Sequence, residues 1–322
     1  MWREMRHLLI CTLIVAMKLS TLHNALARGV FAMDPQRAEA YMPVVLKLMS
    51  GESLPQAGIP NDNYEQNEAK AVHPATGEEY RVFGVNENGY RTYVGFKNAP
   101  KGSVAVLGLH DVVMKYDYCG ALGTMSMCRI MADAEASENI TGIVLDMDTP
   151  GGEVYGTKNM ADLVGNCSKP VVVLVNDGYS ASAGYYIAAG ADRILMAQPT
   201  DQVGSIGVYT TLIDAKGAYE ALGYKLLTIY SPTSPEKNKA WREAMEEGKL
   251  QRMETQLAYM DKVFMDHVKA GRTKLDAKAL EGGMFFTDEA ISMGLADGYA
   301  TYQQAIETVI NLSRGGSLSF KS

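Results

Sequence analysis

The pattern of apolar and polar positions predicts a layered α/β domain from about residue 102 onward. Short apolar runs that predict strands occur at 103–109, 141–147, 171–175, 193–197 and 226–230. Segments with apolar residues at helical spacing occur at 122–136, 157–164, 215–222, 236–272 and 303–312. Strands separated by helices in this way indicate a mostly parallel sheet with helices packed against it.

The first third of the chain predicts an appendage to this domain. Residues 1–27 carry basic residues and then a short apolar run, which predicts either a signal or anchor segment or a chain whose translation begins at Met17. Residues 28–101 predict a helix after Asp34, an irregular segment over 52–78 and a hairpin turning at Asn88-Gly89. We therefore divide the chain at 27, 101 and 312, with a flexible tail over 313–322.

Composition and charge narrow the classes of function. The chain has 322 residues, of which 47% are hydrophobic, and this suits a globular protein with a sizeable core. Its net charge of -7 gives no electrostatic reason to bind nucleic acid. The four cysteines lack metal-ligand spacing, so we expect neither a metal site nor disulfides. We also expect no cofactor.

The most informative stretch is the one that follows the strand at 171–175. Asn176, Asp177 and Gly178 are expected to break that strand, and Ser180 and Ser182 then precede small residues that favour a helix. A serine where a strand turns into a helix lies near unpaired backbone N–H groups, which suits a nucleophile and the oxyanion it creates. The alternative is that both serines only cap the helix.

A second loop is expected at the same edge of the sheet. Residues 148–152 read D-T-P-G-G and follow the strand at 141–147. The carboxyl ends of neighbouring parallel strands line one crevice, and glycines allow backbone N–H groups to point into it. Beside a serine this predicts an oxyanion hole, whereas on its own the glycine pair also fits a tight turn.

Three motifs in this order resemble the signal peptide peptidase A (SppA) serine proteases, which have the ClpP/crotonase fold. They are D-T-P-G-G-E-V, S-A-S-A-G-Y-Y-I-A and V-G-S-I-G-V, and the resemblance continues through the segment at 283–298 to about residue 310. The small residues around Ser182 and the segment at 28–51 are most similar to the phage and prophage capsid (prohead) proteases of that family. The resemblance implies a homo-oligomer that acts on protein or peptide substrates.

The resemblance also implies a Ser/Lys dyad. The nucleophile corresponds to Ser182, and Ser205 corresponds to the serine that positions the lysine. In that family the lysine is commonly followed by a small polar residue. Asn238 follows Lys237, so Lys237 is the preferred base and Lys239 is the second choice.

Two further positions correspond to the oxyanion hole. The backbone N–H groups of Gly152 and Ala183 are the expected donors. The chain departs from the family pattern in reading T-P-G-G where S-P-G-G is more frequent, and in having Ala183 where glycine is frequent. Both departures keep the chemistry, because Thr149 retains a hydroxyl and Ala183 retains its N–H.

The residues themselves agree with a lysine base. No histidine occurs between Ser182 and His267, which disfavours a triad whose histidine soon follows the serine. A lysine can take the hydroxyl proton only when its amine is neutral, and burial favours the neutral form because the ammonium loses its solvation.

We therefore expect an ATP-independent serine endopeptidase that processes phage scaffold or capsid proteins, in the prohead or the cytoplasm of a bacterial host. The close alternative is a signal-peptide or membrane-fragment peptidase, with membrane association or export only through residues 1–27. Alternatives of another class are a crotonase-like acyl-CoA enzyme, which leaves Ser182 without a role, and a catalytically inactive structural homologue.

Overall fold

The structure is a computed structural model that describes residues 31–33, 69–87, 91–117, 122–212, 214, 216–221, 223–225 and 227–315. Its strands are β1 (Phe31–Met33), β2 (Ala69–Val72), β3 (Glu79–Arg81), β4 (Phe83–Val85), β5 (Arg91–Tyr93), β6 (Ser103–His110), β7 (Ile140–Thr149), β8 (Gly151–Glu153), β9 (Val171–Ala181), β10 (Arg193–Met196), β11 (Gln202–Gly204), β12 (Met284–Phe286) and β13 (Gly298–Tyr299). Its α-helices are α1 (Thr124–Ala136), α2 (Thr157–Gly165), α3 (Ala183–Ala188), α4 (Lys216–Ala221), α5 (Lys239–Glu247), α6 (Gln251–Gly271), α7 (Thr287–Ser292) and α8 (Tyr302–Ser313), and a 3-10 turn covers Ala277–Leu280.

A nine-stranded sheet organises the domain. Its main path runs in the order β12-β11-β9-β7-β6-β2-β3, with β10 and β13 branching from β9. The central strands β6, β7, β9, β10 and β11 pair in parallel, while β2, β3 and β12 are antiparallel additions at the edges. The mostly parallel central sheet confirms the layered α/β fold predicted from the sequence pattern, and it agrees with the ClpP/crotonase fold that the resemblance implies.

Both faces of this sheet are covered, which explains why its central strands are nearly continuous apolar runs. In β6, for example, Ala105 and Leu107 pack on the face covered by α1, α2 and α3. Val104 and Val106 pack on the opposite face, against α8. The alternation of side chains along a strand therefore divides one apolar run between two cores.

The N-terminal part of the chain differs from the prediction. Strand β2 lies within the segment predicted to be irregular, and it pairs with β6 at the edge of the parallel core. Ala69 and Ala71 are buried, so this strand belongs to the sheet of the main domain. The predicted hairpin is present as the antiparallel pair β4 and β5, although its turn at Asn88-Gly89 lies outside the described residues.

Two predictions after β11 are wrong. The single helix predicted over 236–272 is two helices, α5 and α6, because Gly248 takes a left-handed conformation with φ 65° and ends the first. The strand predicted at 226–230 is absent from the described residues 227–230, where Leu227 and Ile229 are 74% and 91% exposed and pair with no sheet.

Several predictions concern residues outside the described ranges. These are the possible signal or anchor at 1–27, the helix predicted after Asp34 and the end of the tail from 316. None of the helices described in the structure is both long and apolar enough to cross a membrane.

Candidate active site

Ser182 lies at a sharp turn between a buried strand and a short helix. The predicted break at 176–178 is wrong, because β9 continues to Ala181 and its second half pairs with β11. Ser182 follows with φ 53° and ψ -114°, a conformation that is unfavourable for a residue with a side chain. Its N–H donates to the carbonyl of Gly204 in β11 at 2.9 Å, and this hydrogen bond holds the strained turn in place.

The side chains at this turn argue against the helix-cap interpretation. Ser182 makes no side-chain capping bond to α3, and its Oγ is 3.4 Å from the carbonyl oxygen of Gly207. The Ser180 hydroxyl points into the core, 3.7 Å from the Met147 sulfur, and Ser180 is completely buried. Of these two serines, only Ser182 combines backbone strain with a hydroxyl at the carboxyl end of the parallel strands.

Ser205 is brought next to Ser182 by the pairing of β11 with β9. Gly204 is the register partner of Ala181, so the residues that follow each of them are neighbours. Ser205 also has a left-handed backbone, with φ 51°, and its N–H donates to the Gly283 carbonyl at 2.7 Å. The two serines therefore share one corner of the sheet, each on a backbone held by a neighbouring strand.

The D-T-P-G-G loop reaches the same corner. Thr149 is the register partner of Ser180, and an added Cβ at Gly184 in α3 would lie 2.5 Å from Thr149 Cγ2. The Thr149 hydroxyl donates to the Asp111 carbonyl at 2.6 Å and accepts from the Gly151 N–H at 3.2 Å. The hydroxyl that the chain keeps at this position thus shapes the glycine turn.

Gly152 lies on a short strand that is supported from one side by Val113. The Val113 N–H donates to the Gly151 carbonyl, and the Glu153 N–H donates to the Val113 carbonyl, both at 2.8 Å. An added Cβ at Gly152 would overlap the Val113 carbonyl oxygen, so only glycine fits. The convergence of the Gly152 and Ala183 N–H groups on one point beside Ser182 stays a prediction.

We expect Gly152→Ala to reduce peptide hydrolysis by about a hundredfold or more. The new methyl group forces β8 away from Val113 and so displaces an N–H that we assign to the oxyanion, a contribution of about 10²–10³ in rate. The measurement is kcat/KM with a chromogenic peptide, together with the thermal unfolding temperature.

Gly165→Ala at the end of α2 provides the matched control. Its added Cβ meets only ordinary van der Waals contact, at 3.9 Å from Gly190. A Gly152→Ala enzyme as active as the Gly165→Ala enzyme would exclude β8 from the oxyanion hole.

The candidate lysines are not buried in this structure. Lys237 is exposed, just before α5, and the Lys239 amine is 2.6 Å from a Glu236 carboxylate oxygen at the surface. The described residues therefore bring Ser205 and the D-T-P-G-G loop to the turn at Ser182 and Ala183, while they leave Lys237 exposed and Lys239 partly exposed.

The sequence predicts no role for two groups near this corner, Asp201 and His267. Asp201 is buried, and its carboxylate accepts from the N–H groups of Gly178, Ala197 and Gln198, which fixes the second half of β9. Burial raises the pKa of this carboxyl group, and the backbone bonds partly offset that effect. The only signal in the sequence is its place just before the V-G-S-I-G-V motif.

His267 supports α3, the helix that follows Ser182. Its ring stacks on Tyr186 of α3, and its Nε2 lies 2.9 Å from the Tyr186 carbonyl oxygen. Burial lowers the pKa of His267, which favours a neutral ring. This histidine is engaged with the backbone of α3, which agrees with the choice of a lysine as base.

Comparison with known proteins finds similarity to peptidases. Residues 166–314 match Peptidase family S49, and residues 121–203 match Clp protease. The capsid assembly protease C of Escherichia phage lambda is 30% identical over 194 residues, which cover 59% of this chain and 43% of that protein. The head-tail preconnector protein GP5 of Enterobacteria phage P21 is 29% identical over 210 residues, covering 62% and 41%. Protease 4 of Salmonella typhi is 25% identical over 241 residues, covering 71% and 38%.

These matches confirm the resemblance to the SppA-like serine proteases. The chain spans about two fifths of the length of the three relatives. Both family matches include the turn at Ser182, since residues 166–203 belong to both.

Proposed function

We propose that this chain, a relative of the SppA-like serine proteases of peptidase family S49, is a serine endopeptidase that uses Ser182 as its nucleophile. The observation that carries the proposal is the strained turn at Ser182, whose hydroxyl makes no capping bond to α3 and whose next helix, α3, lies against Thr149 of the D-T-P-G-G loop. Strain at a single serine is unfavourable for folding, so its presence here favours a catalytic role. If the chain were an acyl-CoA enzyme or an inactive homologue, the strained backbone at Ser182 would have no catalytic role.

The proposed reaction begins with attack of Ser182 Oγ on the carbonyl carbon of the scissile bond. The oxygen of that carbonyl becomes negative, and the N–H groups of Gly152 and Ala183 stabilise it. A neutral Lys237 amine takes the proton of the hydroxyl and then gives it to the leaving amine. Water hydrolyses the resulting acyl ester and regenerates Ser182. Ser205 acts as a positioning residue that orients the lysine amine.

This mechanism requires a covered lysine, and among the described residues Lys237 is exposed. Exposed apolar side chains flank Lys237 on both sides, and Leu227, Ile229 and Trp241 are among them. Exposed apolar patches of this kind mark contact surfaces. We therefore infer a homo-oligomer in which a neighbouring copy packs on the segment around Lys237 and places its amine beside a Ser182.

The printed names of the relatives support a proposal for the substrate class. The phage lambda relative is named a capsid assembly protease, and the match to it includes the nucleophile region. We propose that this chain cuts scaffold or capsid proteins, in the prohead or the cytoplasm of a bacterial host. Cleavage of signal peptides or membrane-protein fragments is the second candidate, because the motifs also resemble SppA. In either role the domain from residue 102 to residue 312 carries the chemistry, completed by strands β2 and β3.

A serine-reactive fluorophosphonate tests the activity directly. We expect the purified full-length protein to form a stoichiometric adduct that peptide mass spectrometry locates on Ser182. The acyl-CoA and inactive alternatives predict no adduct. An adduct located on another serine, or none with correctly assembled protein, would contradict the proposal. Incubation with a scaffold protein and, separately, with signal peptides distinguishes the two substrate classes.

A further inference from the structure

Strand β8, beside the nucleophile, is paired on its outer edge by the chain's own N-terminal segment. The backbone of β1 runs antiparallel to β8, with Phe31 opposite Glu153, Ala32 opposite Gly152 and Met33 opposite Gly151. This contact joins residues that are more than a hundred positions apart, on the one strand that we assign to the oxyanion hole. The function described above does not explain it.

The hydrogen bonds to Val113 determine which peptide groups of β8 face β1. The Gly151 carbonyl and the Glu153 N–H both point toward Val113. Successive residues of a strand direct their peptide groups to opposite edges, so the N–H and carbonyl of Gly152 point toward Ala32. In an antiparallel pair, two residues that face each other in this way exchange both hydrogen bonds. The Ala32 carbonyl therefore faces the Gly152 N–H.

That position is the one a substrate carbonyl takes in the proposed mechanism. The Gly152 N–H is an assigned oxyanion donor, and an extended peptide that adds to the edge of β8 presents its scissile carbonyl to it. The corner is also closed in the single chain, since Ser182 is 1% exposed and Gly151, Gly152 and Glu153 are buried. A peptidase that accepts a separate peptide needs this edge to be open.

We propose that β1 occupies the substrate strand position of its own active site and blocks other peptides until it is cut or displaced. This inference rests on the proposed function. The bond presented to Ser182 is Ala32–Met33. Attack of Ser182 Oγ on the Ala32 carbonyl carbon breaks the bond to the Met33 nitrogen, which leaves as an amine with the proton taken from the hydroxyl. Water then releases the Ala32 carboxylate from Ser182.

The first test measures strand occupancy without using catalysis. In full-length Ser182→Ala protein, a further Ala32→Pro change removes the Ala32 N–H and so one bond of the pair. We expect hydrogen exchange of the Gly152 amide to become about tenfold faster or more, while the amides of β6 and β7 are unchanged. Ala32→Ser keeps the N–H and should exchange like the parent. Equal exchange in all three proteins would overturn the inference.

The second test measures the consequence for activity with intact Ser182. We expect Ala32→Pro to react with a fluorophosphonate and to hydrolyse an added peptide several-fold faster than freshly purified wild type. Mass spectrometry should find a wild-type product that begins at Met33 and is absent from Ser182→Ala. Active proteins with the same rates and no cut at this bond would overturn the inference and leave the proposed function intact. Absence of labelling and hydrolysis in every variant would overturn the proposed function, and the inference with it.

Discussion

Ser182→Ala is expected to abolish peptide hydrolysis while leaving the fold intact. Removal of a covalent nucleophile costs several orders of magnitude in rate, and we expect a loss of about a thousandfold or more in kcat. The small side chain of alanine fits the buried turn, so the strained backbone and its bond to the Gly204 carbonyl are retained. The measurement is kcat with a peptide substrate, with circular dichroism and thermal unfolding as checks on the fold.

Ser180→Ala is the matched control two residues away. The Ser180 hydroxyl contacts the Met147 sulfur in the core, away from the crevice, so its loss should change activity less than about tenfold. Each variant removes one serine hydroxyl, and the two positions are two residues apart in the chain. Near wild-type turnover by Ser182→Ala, with Ser180→Ala inactive, would show that the other serine is the nucleophile.

The sequence predicts the centre of the fold well because burial on both faces leaves a clear pattern. The strands at 103–109, 141–147 and 171–175 are continuous apolar runs, and each is found as a strand that begins within a residue of its predicted start. The helices α1, α2 and α8 are found within two residues of their predicted ends. The D-T-P-G-G loop and the turn at Ser182 then lie at one corner because parallel strands place their carboxyl ends together.

The sequence-based predictions fail where a segment becomes a strand only because it pairs with a distant part of the chain. Strand β2 is four residues long and follows a polar segment, and only its contact with β6 makes it part of the sheet. The second half of β9 contains Asn176, Asp177 and Gly178, which discourage a strand locally. It is retained because β11 pairs with it and Asp201 binds its backbone. Such partners are distant in sequence and leave no periodic signal.

Neither the sequence nor the described residues of a single chain determine the position of the proposed lysine base relative to Ser182. Pro232 and Pro235 lie just before Lys237, so the register of this segment cannot be inferred from strand or helix periodicity. We propose that another copy covers the exposed apolar side chains of this segment. A mechanism that needs a desolvated amine is therefore tested better by kinetics than by the position of Lys237 in one chain.

Lys237→Ala is expected to reduce kcat by about 10²–10⁴, the usual contribution of a general base. Lys237→Arg should be equally inactive, because a guanidinium keeps its positive charge and does not accept a proton. The loss should therefore follow the amine and not the positive charge. Both variants are measured beside wild type with one peptide substrate.

Lys239→Ala tests which of the two lysines is the base. Its amine is paired with Glu236 at the surface, and an exposed ion pair of this kind contributes little to stability, so we expect most of the activity to remain. An inactive Lys239→Ala beside an active Lys237→Ala would keep the Ser/Lys mechanism and move the base by two residues. If both alanine variants stay active in the assembled protein, neither amine takes the Ser182 proton. The proposed Ser/Lys dyad would then be wrong.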